Sequence, residues 1–379
     1  MNNERKPRLQ WLDALRGFTM LLVVVNHTYG FGFDTNTKYS MFMSLCLLFR
    51  MPLFFFISGF LAYKASFSWN RHDTTSLVVR KLRVQIVPTL VFMTAEIALL
   101  YKHFWQRMGE AWESPTKGGY WFTLVLLQML LLYYAVCWIA HKFESPTPPV
   151  GRESCQANEG ISDNDRGNKV LSPTEWLLLL LWLLSIFAYA TLYMPRWFTW
   201  RTEEFFRYTS LTELARYFQF FLLGNFCHRY WSHVCRLFDS KWFFPFLVVV
   251  AFLGAGDYLK WHNLRMEWAN LPRTLAMYAF VLIIVAFFRH YQQWFSKETR
   301  IGSSLQYIGV RTLDIYLIHY FFIPKLPDVG VWFKAHPQNF ILEGSAALAL
   351  ALLVVAFSLL TSHVLRVSPF LKKWLFGRE

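Results

Sequence analysis

The stretch Trp11-Leu-Asp13-Ala-Leu-Arg16-Gly-Phe-Thr-Met-Leu-Leu-Val-Val-Val-Asn26-His27 decides how the chain is read. It is apolar and runs on to Phe31, long enough for a membrane-crossing helix, which needs roughly 18 or more such residues. It also carries three ionisable side chains. Asp or Arg costs about 2.5 kcal/mol or more at a bilayer centre, so residues of this kind need protein partners and are functional candidates. At about 100° per residue, Arg16 and His27 lie about 20° apart around the helix, and Asp13 about 40° to the other side of His27. All three project from one face. Asp13 and Arg16 can pair directly, while His27 stands about 16 Å further along the axis. The spacing suggests a division of labour: Arg16 meets an anion near one mouth, and His27 does proton or acyl chemistry deeper in. The plainer alternative is a structural Asp–Arg pair and a core histidine bonded to a backbone group.

The rest of the 379-residue chain points to the same solvent. Hydrophobic types make up 55% of it and charged types 16%. A soluble domain carries about a quarter charged residues, so a water-soluble enzyme is excluded. Ten apolar runs are expected to span: 11–31, 43–63, 84–101, 120–140, 175–193, 214–228, 242–259, 274–288, 305–323 and 340–364. The expected fold is an all-α integral membrane protein, one polytopic bundle of about ten transmembrane helices over residues 1–379. With the N-terminus inside, the inner segments hold nearly twice as many Lys and Arg as the outer loops. That places both termini in the cytoplasm. The net charge of +14 is then loop anchoring, and nucleic acid need not be invoked. Residues 144–169, rich in Pro, Ser, Asn and charge, read as a mobile cytoplasmic loop. The first apolar run is too long for a signal peptide. The five cysteines show no CxxC spacing and read as core residues, with no disulfide frame and no metal site.

Other segments add polar groups to the apolar frame. Arg50 lies within the second span, in Phe49-Arg-Met-Pro-Leu-Phe-Phe-Phe-Ile-Ser-Gly-Phe60. Arg80, Lys81 and Arg83 cluster where the third span opens, ahead of Pro88. Basic side chains and free N–H groups at such a helix start can hold phosphates, although taken on their own they are better explained by ordinary anchoring of an inner loop. Glu96, Asp257 and His319 lie in or beside outer halves of spans, and each could orient the His27 ring. Asp314 and Arg311 are expected to pair with each other, and Asn26 to bond a neighbouring helix.

Four features in order resemble the acyltransferase 3 family of integral-membrane acyltransferases. They are Leu-Asp13-Ala-Leu-Arg16-Gly with His27 eleven residues after the arginine, the run Phe55 to Phe60, the Arg80-x-x-Arg83 start with Pro88, and Ile308-Gly-Val-Arg-Thr-Leu-Asp-Ile-Tyr-Leu-Ile-His319. Gly118-Gly-Tyr-Trp-Phe122 also looks familiar, and Phe49-Arg-Met resembles the branch of glucan biosynthesis protein C. The resemblance implies O-acylation of an envelope or exported carbohydrate in a bacterial cytoplasmic membrane. The implied donor is cytoplasmic acyl-CoA, acetyl-CoA above all, and no metal. His27 would be the base or transient acyl carrier, with Arg16 and Asp13 completing the catalytic group. Arg80, Lys81 and Arg83 would bind the donor's phosphates. Tyr120 and Trp121 could stack on the sugar at the outer mouth, with Arg50, His319 and Glu96 as further substrate-side candidates. An amino-sugar N-acetyltransferase and a non-enzymatic exporter or flippase are the competing functions. Acceptor identity, acyl group and oligomeric state are not legible.

Overall fold

The computed structural model describes residues 9–36, 40–65, 67–143, 171–193, 204–259, 270–336 and 339–376. The loop expected at 144–169 lies outside them. The described residues form helices and no strands. The first half holds α1 (Gln10–His27), α2 (Met41–Ala62), α3 (Arg71–Lys81), α4 (Val87–Leu100), α5 (Phe104–Glu113) and α6 (Trp121–His141). Then come α7 (Pro173–Tyr193), α8 (Glu204–Thr209), α9 (Leu211–Arg229), α10 (Trp231–Phe238), α11 (Phe243–Leu259) and α12 (Asn270–His290). The chain closes with α13 (Arg300–Gly309), α14 (Thr312–Ile318), α15 (Pro327–Ala335), α16 (Phe340–Leu365) and α17 (Pro369–Phe376). A π-helical turn, Thr28–Gly32, extends α1, and another, Leu82–Ile86, joins α3 to α4 into one 30-residue helix.

Among the described residues, five helices are long and apolar enough to cross a membrane, or six if the α10–α11 pair, bent by 82°, is one span. This is an integral membrane protein, and its described residues hold fewer full-length apolar helices than the ten runs in the sequence. Polar residues account for part of the difference. α1 is 18 residues long and holds Asp13, Arg16 and His27. α9 carries Glu213, Arg216, Gln219, Asn225 and Arg229. The run 305–323 is not one helix at all. It breaks at Val310–Arg311, and a short 3₁₀ turn, His319–Phe322, follows α14. Broken helices at membrane depth are tolerated where protein surrounds them, and α14 is buried along nearly its whole length.

Two glycine pairs set the closest helix contacts. A Cβ at Gly59 of α2 would collide with the Phe221 carbonyl of α9, and one at Gly224 of α9 with the Phe56 carbonyl of α2. The same reciprocal arrangement joins α1 to α13: Gly17 faces the Leu305 carbonyl, and Gly309 faces that of Asp13. Lipid tails are as apolar as leucine, so burial alone does not drive helices together, and close backbone approach through small residues replaces it. Aromatic packing closes the end near Trp11. Trp11 stacks on Trp231 at 5.7 Å and meets Phe60 edge-on at 6.4 Å. His228 lies flat on Phe60 at 4.2 Å and donates its Nδ1–H to the Phe60 carbonyl at 2.6 Å. Polar side chains tie the apolar helices together: Gln85 donates to the Thr123 backbone carbonyl at 2.7 Å, and the Tyr278 hydroxyl to the Gln219 side-chain oxygen at 2.8 Å.

Gly59→Ala and Gly224→Ala should each destabilise the purified protein by about 1–3 kcal/mol, the usual cost of overpacking. The double variant should cost less than the sum, since one separation of α2 from α9 relieves both clashes. Gly109→Ala, in α5 with open space around it, should leave the thermal midpoint unchanged or raise it. Additive losses at Gly59 and Gly224 would contradict the shared contact.

Candidate active site

The break between α13 and α14 brings the site together. His319, fully buried, sits just past α14. Its Nε2 lies 2.7 Å from Nδ1 of His27, and the two rings are nearly parallel with centroids 5.0 Å apart. The other His319 nitrogen, Nδ1, lies 3.0 Å from the Ile315 carbonyl. A carbonyl only accepts, so His319 Nδ1 carries the proton and Nε2 offers its lone pair. His27 Nδ1–H therefore donates to it. In the neutral ring this leaves His27 Nε2 unprotonated. The order Ile315 C=O, His319, His27 fixes the tautomer a general base requires. Of the three residues expected to orient His27, His319 touches it, and the Asp257 side chain lies outside the described residues.

Tyr320, which sequence reasoning missed, completes the stack. Its ring lies 5.2 Å from that of His27 and 4.0 Å from that of His319. Its neighbour at the dyad, Tyr316, explains the Gly118-Gly119 pair. Tyr316 donates its hydroxyl proton to the Gly119 carbonyl at 2.7 Å and accepts from the Phe122 amide at 3.2 Å. Gly119 has φ of 111°, and a Cβ there would strike the Tyr320 hydroxyl. A left-handed, side-chain-free elbow is what lets the start of α6 dock on α14. Tyr120 follows the elbow inward. It is 1% exposed and donates to the Leu317 carbonyl at 3.2 Å, so its ring offers no face for a sugar. Trp121 is half-buried and stacks on Tyr217 at 5.7 Å. Glu96 is buried beside the Tyr120 hydroxyl and supports that tyrosine, not His27.

Arg16 and Asp13 lie toward the opposite end of α1. Their ion pair is long, 3.4 Å, and Arg16 also donates to Thr312 at 3.2 Å. Arg16 lines a cavity of about 310 Å³ with Lys64, Arg80 and Lys81. Phe122 and Tyr316 form part of its wall, and the Tyr316 ring is 6.1 Å from that of His319. Arg80 and Val84 also line a second, open cleft of about 960 Å³ with Arg71, His72, Arg83 and Lys373. None of the described residues lining either cavity is acidic. Burial, and then the nearby Arg80, hold the Lys64 ammonium below its ordinary pKa, the mark of a cationic pocket that lacks counter-charge. Arg80 and Lys81 thus share a cavity with Arg16, while Arg83 faces only the outer cleft. Lys64, Arg71 and Lys373 were not anticipated. They come from three separate segments, and only the fold brings them together.

Two expected pairings are replaced. Asp314 accepts from Arg366 at 2.6 Å and from Ser362 at 2.6 Å, both on α16 or just beyond it. Arg311 lies over the Tyr307 ring at 3.8 Å. The break at residues 310–311 puts Arg311 at the cap of α14, so the three-residue spacing no longer places the two side chains together. Asn26 Oδ1, expected to bond a neighbouring helix, is buried without a hydrogen-bond partner.

A family model described as an acyltransferase domain, acyltransferase 3, matches residues 9–363. Comparison with curated proteins and with solved structures gives no match. The match takes in α1 with its three ionisable residues, the basic turn before α4, the elbow before α6 and the His319 segment, nearly the whole described bundle, and the chain belongs to the acyltransferase 3 family.

Proposed function

We propose that this membrane acyltransferase moves an acyl group from acyl-CoA, acetyl-CoA in the first instance, to a hydroxyl of an envelope or exported carbohydrate. The observation that carries the reading is the His27–His319 hydrogen bond, which leaves His27 Nε2 free as a base. The two cavities support a nucleotide donor. Their cations (Arg16, Lys64, Arg71, Arg80, Lys81, Arg83 and Lys373) suit the several phosphates of CoA. The pantetheine arm is long, thin and neutral, and the apolar lining of the inner cavity suits it. Arg16 and His27 stand about 16 Å apart on α1, so an extended arm is needed to bring a thioester from one to the other. In this reading Arg16 meets the donor and Asp13 holds Arg16. Donor and acceptor approach His27 from opposite sides, from the cytoplasm and from beyond the membrane. Trp121 and Arg50 remain on the acceptor side of the scheme. A hydroxyl acceptor is favoured over an amine because an alcohol needs a base to lose its proton during attack.

His319 is a positioning residue, and substitution separates that role from packing. His27→Ala should lower kcat by at least about 10²-fold, the contribution of a placed general base, while CoA still raises the thermal midpoint. His319→Gln keeps an acceptor for the His27 Nδ1–H through its amide oxygen, and should retain clearly more activity than His319→Phe. Equal loss in the two His319 variants with normal folding would remove the positioning role. Loss of CoA stabilisation from the wild-type protein would favour an exporter.

Arg80→Gln with Arg83→Gln should raise the donor KM and flatten its dependence on ionic strength, because fewer charges remain to be screened. The acceptor KM should hardly change. Unaltered donor kinetics with reduced membrane insertion would show that these residues only anchor the loop.

A further inference from the structure

Arg50 is a buried cation that the scheme so far leaves without a partner. It lies mid-way along α2 with 8% exposure, and neither Nε nor Nη1 has a hydrogen-bond partner. A charge at membrane depth is costly and marks a functional position. Among the described residues, its strongest electrostatic neighbours are Tyr217, Cys46, Tyr320 and Arg216, none of them a carboxylate. Arg216 has its own carboxylate, Glu213, at 3.9 Å.

The register between α1 and α2 shows where Arg50 reaches. Trp11 meets Phe60 at one end of the pair, and Tyr29 meets Ser40 at the other, so the helices are antiparallel. At about 1.5 Å per residue, Arg50 lies about 15 Å from the level of Phe60 and His27 about 24 Å from that of Trp11. Helical side chains lean toward the N-terminus of their own helix. For Arg50 that direction is the His27 end, and the extended side chain closes most of the difference in height. Arg50 acts electrostatically on His27. The Tyr320 hydroxyl, on the ring stacked against His27, is also buried and without a partner. One unpaired donor therefore stands on the ring stacked against His27, and a second, Arg50, acts electrostatically on both that tyrosine and the imidazole.

We propose that Arg50, with the Tyr320 hydroxyl beside it, receives the oxyanion of the tetrahedral intermediate formed at His27. The proposal rests on the acyl-transfer reading above. His27 Nε2 takes the acceptor's hydroxyl proton as that oxygen bonds to the thioester carbonyl carbon. The carbonyl π pair moves onto its own oxygen, which becomes the anion facing Arg50. Collapse restores the C=O bond and breaks the C–S bond, and the departing thiolate takes the proton back from His27. Full negative charge exists only while the intermediate exists. A guanidinium left unpaired at rest therefore favours the transition state over bound substrates, the condition for raising kcat.

The test is steady-state kinetics and thermal unfolding of wild-type, R50Q, R50K and Y320F proteins in vesicles, with acetyl-CoA as donor. R50Q should lower kcat by about 10²–10³-fold, the effect of losing one oxyanion donor, with both KM values near wild type. Its thermal midpoint should stay level or rise, because an uncompensated buried charge has gone. Y320F should show a smaller kcat loss with the same KM pattern. If R50Q does not fold, R50K decides: its charge is kept but its fork geometry is lost, and kcat should fall with KM unchanged. A raised KM for one substrate with kcat intact would overturn the proposal in favour of an anion carried by that substrate. A lowered midpoint with normal kcat would make Arg50 a packing residue. Absence of transfer by the wild-type protein would overturn the acyl-transfer reading itself, a result distinct from either.

Discussion

A histidine that is to accept a proton inside a bilayer has to present a bare nitrogen, and the only way to hold one bare is to occupy the other. In the role proposed for His27 that is done by His319, 2.7 Å away and itself fixed by the Ile315 carbonyl. The arrangement has the logic of a base with an orienting partner, but with a neutral ring in place of a carboxylate. No additional charge enters the hydrocarbon region. The cost falls on the backbone instead: His319 can reach His27 because the helix containing it is broken, and a broken helix at this depth needs neighbours on every side.

The neighbours are supplied in a definite order. The Gly17–Gly309 contact brings α13 against α1, which fixes where the break occurs. Asp314 then ties α14 to α16 through Arg366 and Ser362. The Gly118-Gly119 elbow closes the remaining side by accepting Tyr316. Each of these contacts lies away from the reacting atoms, and each bears on the 2.7 Å separation of the two rings. Placement within a fraction of an ångström is what orientation by a packed shell can provide.

α1 was legible as a helix because an ionisable residue stands out in an apolar run, and helical periodicity says which face it takes. His27, Arg16 and Asp13 could be found that way, and the basic turn at Arg80 to Arg83 by its charge. What could not be read was anything that depends on the breaks. The run 305–323 is apolar enough to pass for one span, and Arg311 and Asp314 have ideal spacing for a pair on an unbroken helix. Gly309 carried the signal of a break, but a glycine within an apolar helix is usually a packing surface, and here it is both. Tyr120 belonged to an aromatic cluster at a helix start, which reads as an interface residue until the φ of Gly119 turns it inward. His319 was among three candidates for contact with His27, and no sequence rule separates residues that lie 292 positions away. Lys64, Arg71 and Lys373 were ordinary loop cations until two clefts collected them.

The protein is two-ended, with a cationic cavity around Arg16, Arg80 and Lys81 at one end of α1 and the His27–His319 dyad toward the other. Proteoliposomes of defined orientation, with acyl-CoA and carbohydrate acceptor each confined to one compartment, test that directly. Turnover is predicted only when acyl-CoA is on the Arg80 side and the acceptor is on the opposite side. Turnover with acyl-CoA confined to the side opposite Arg80 would contradict the assignment of the donor cavities and the direction of transfer built on them.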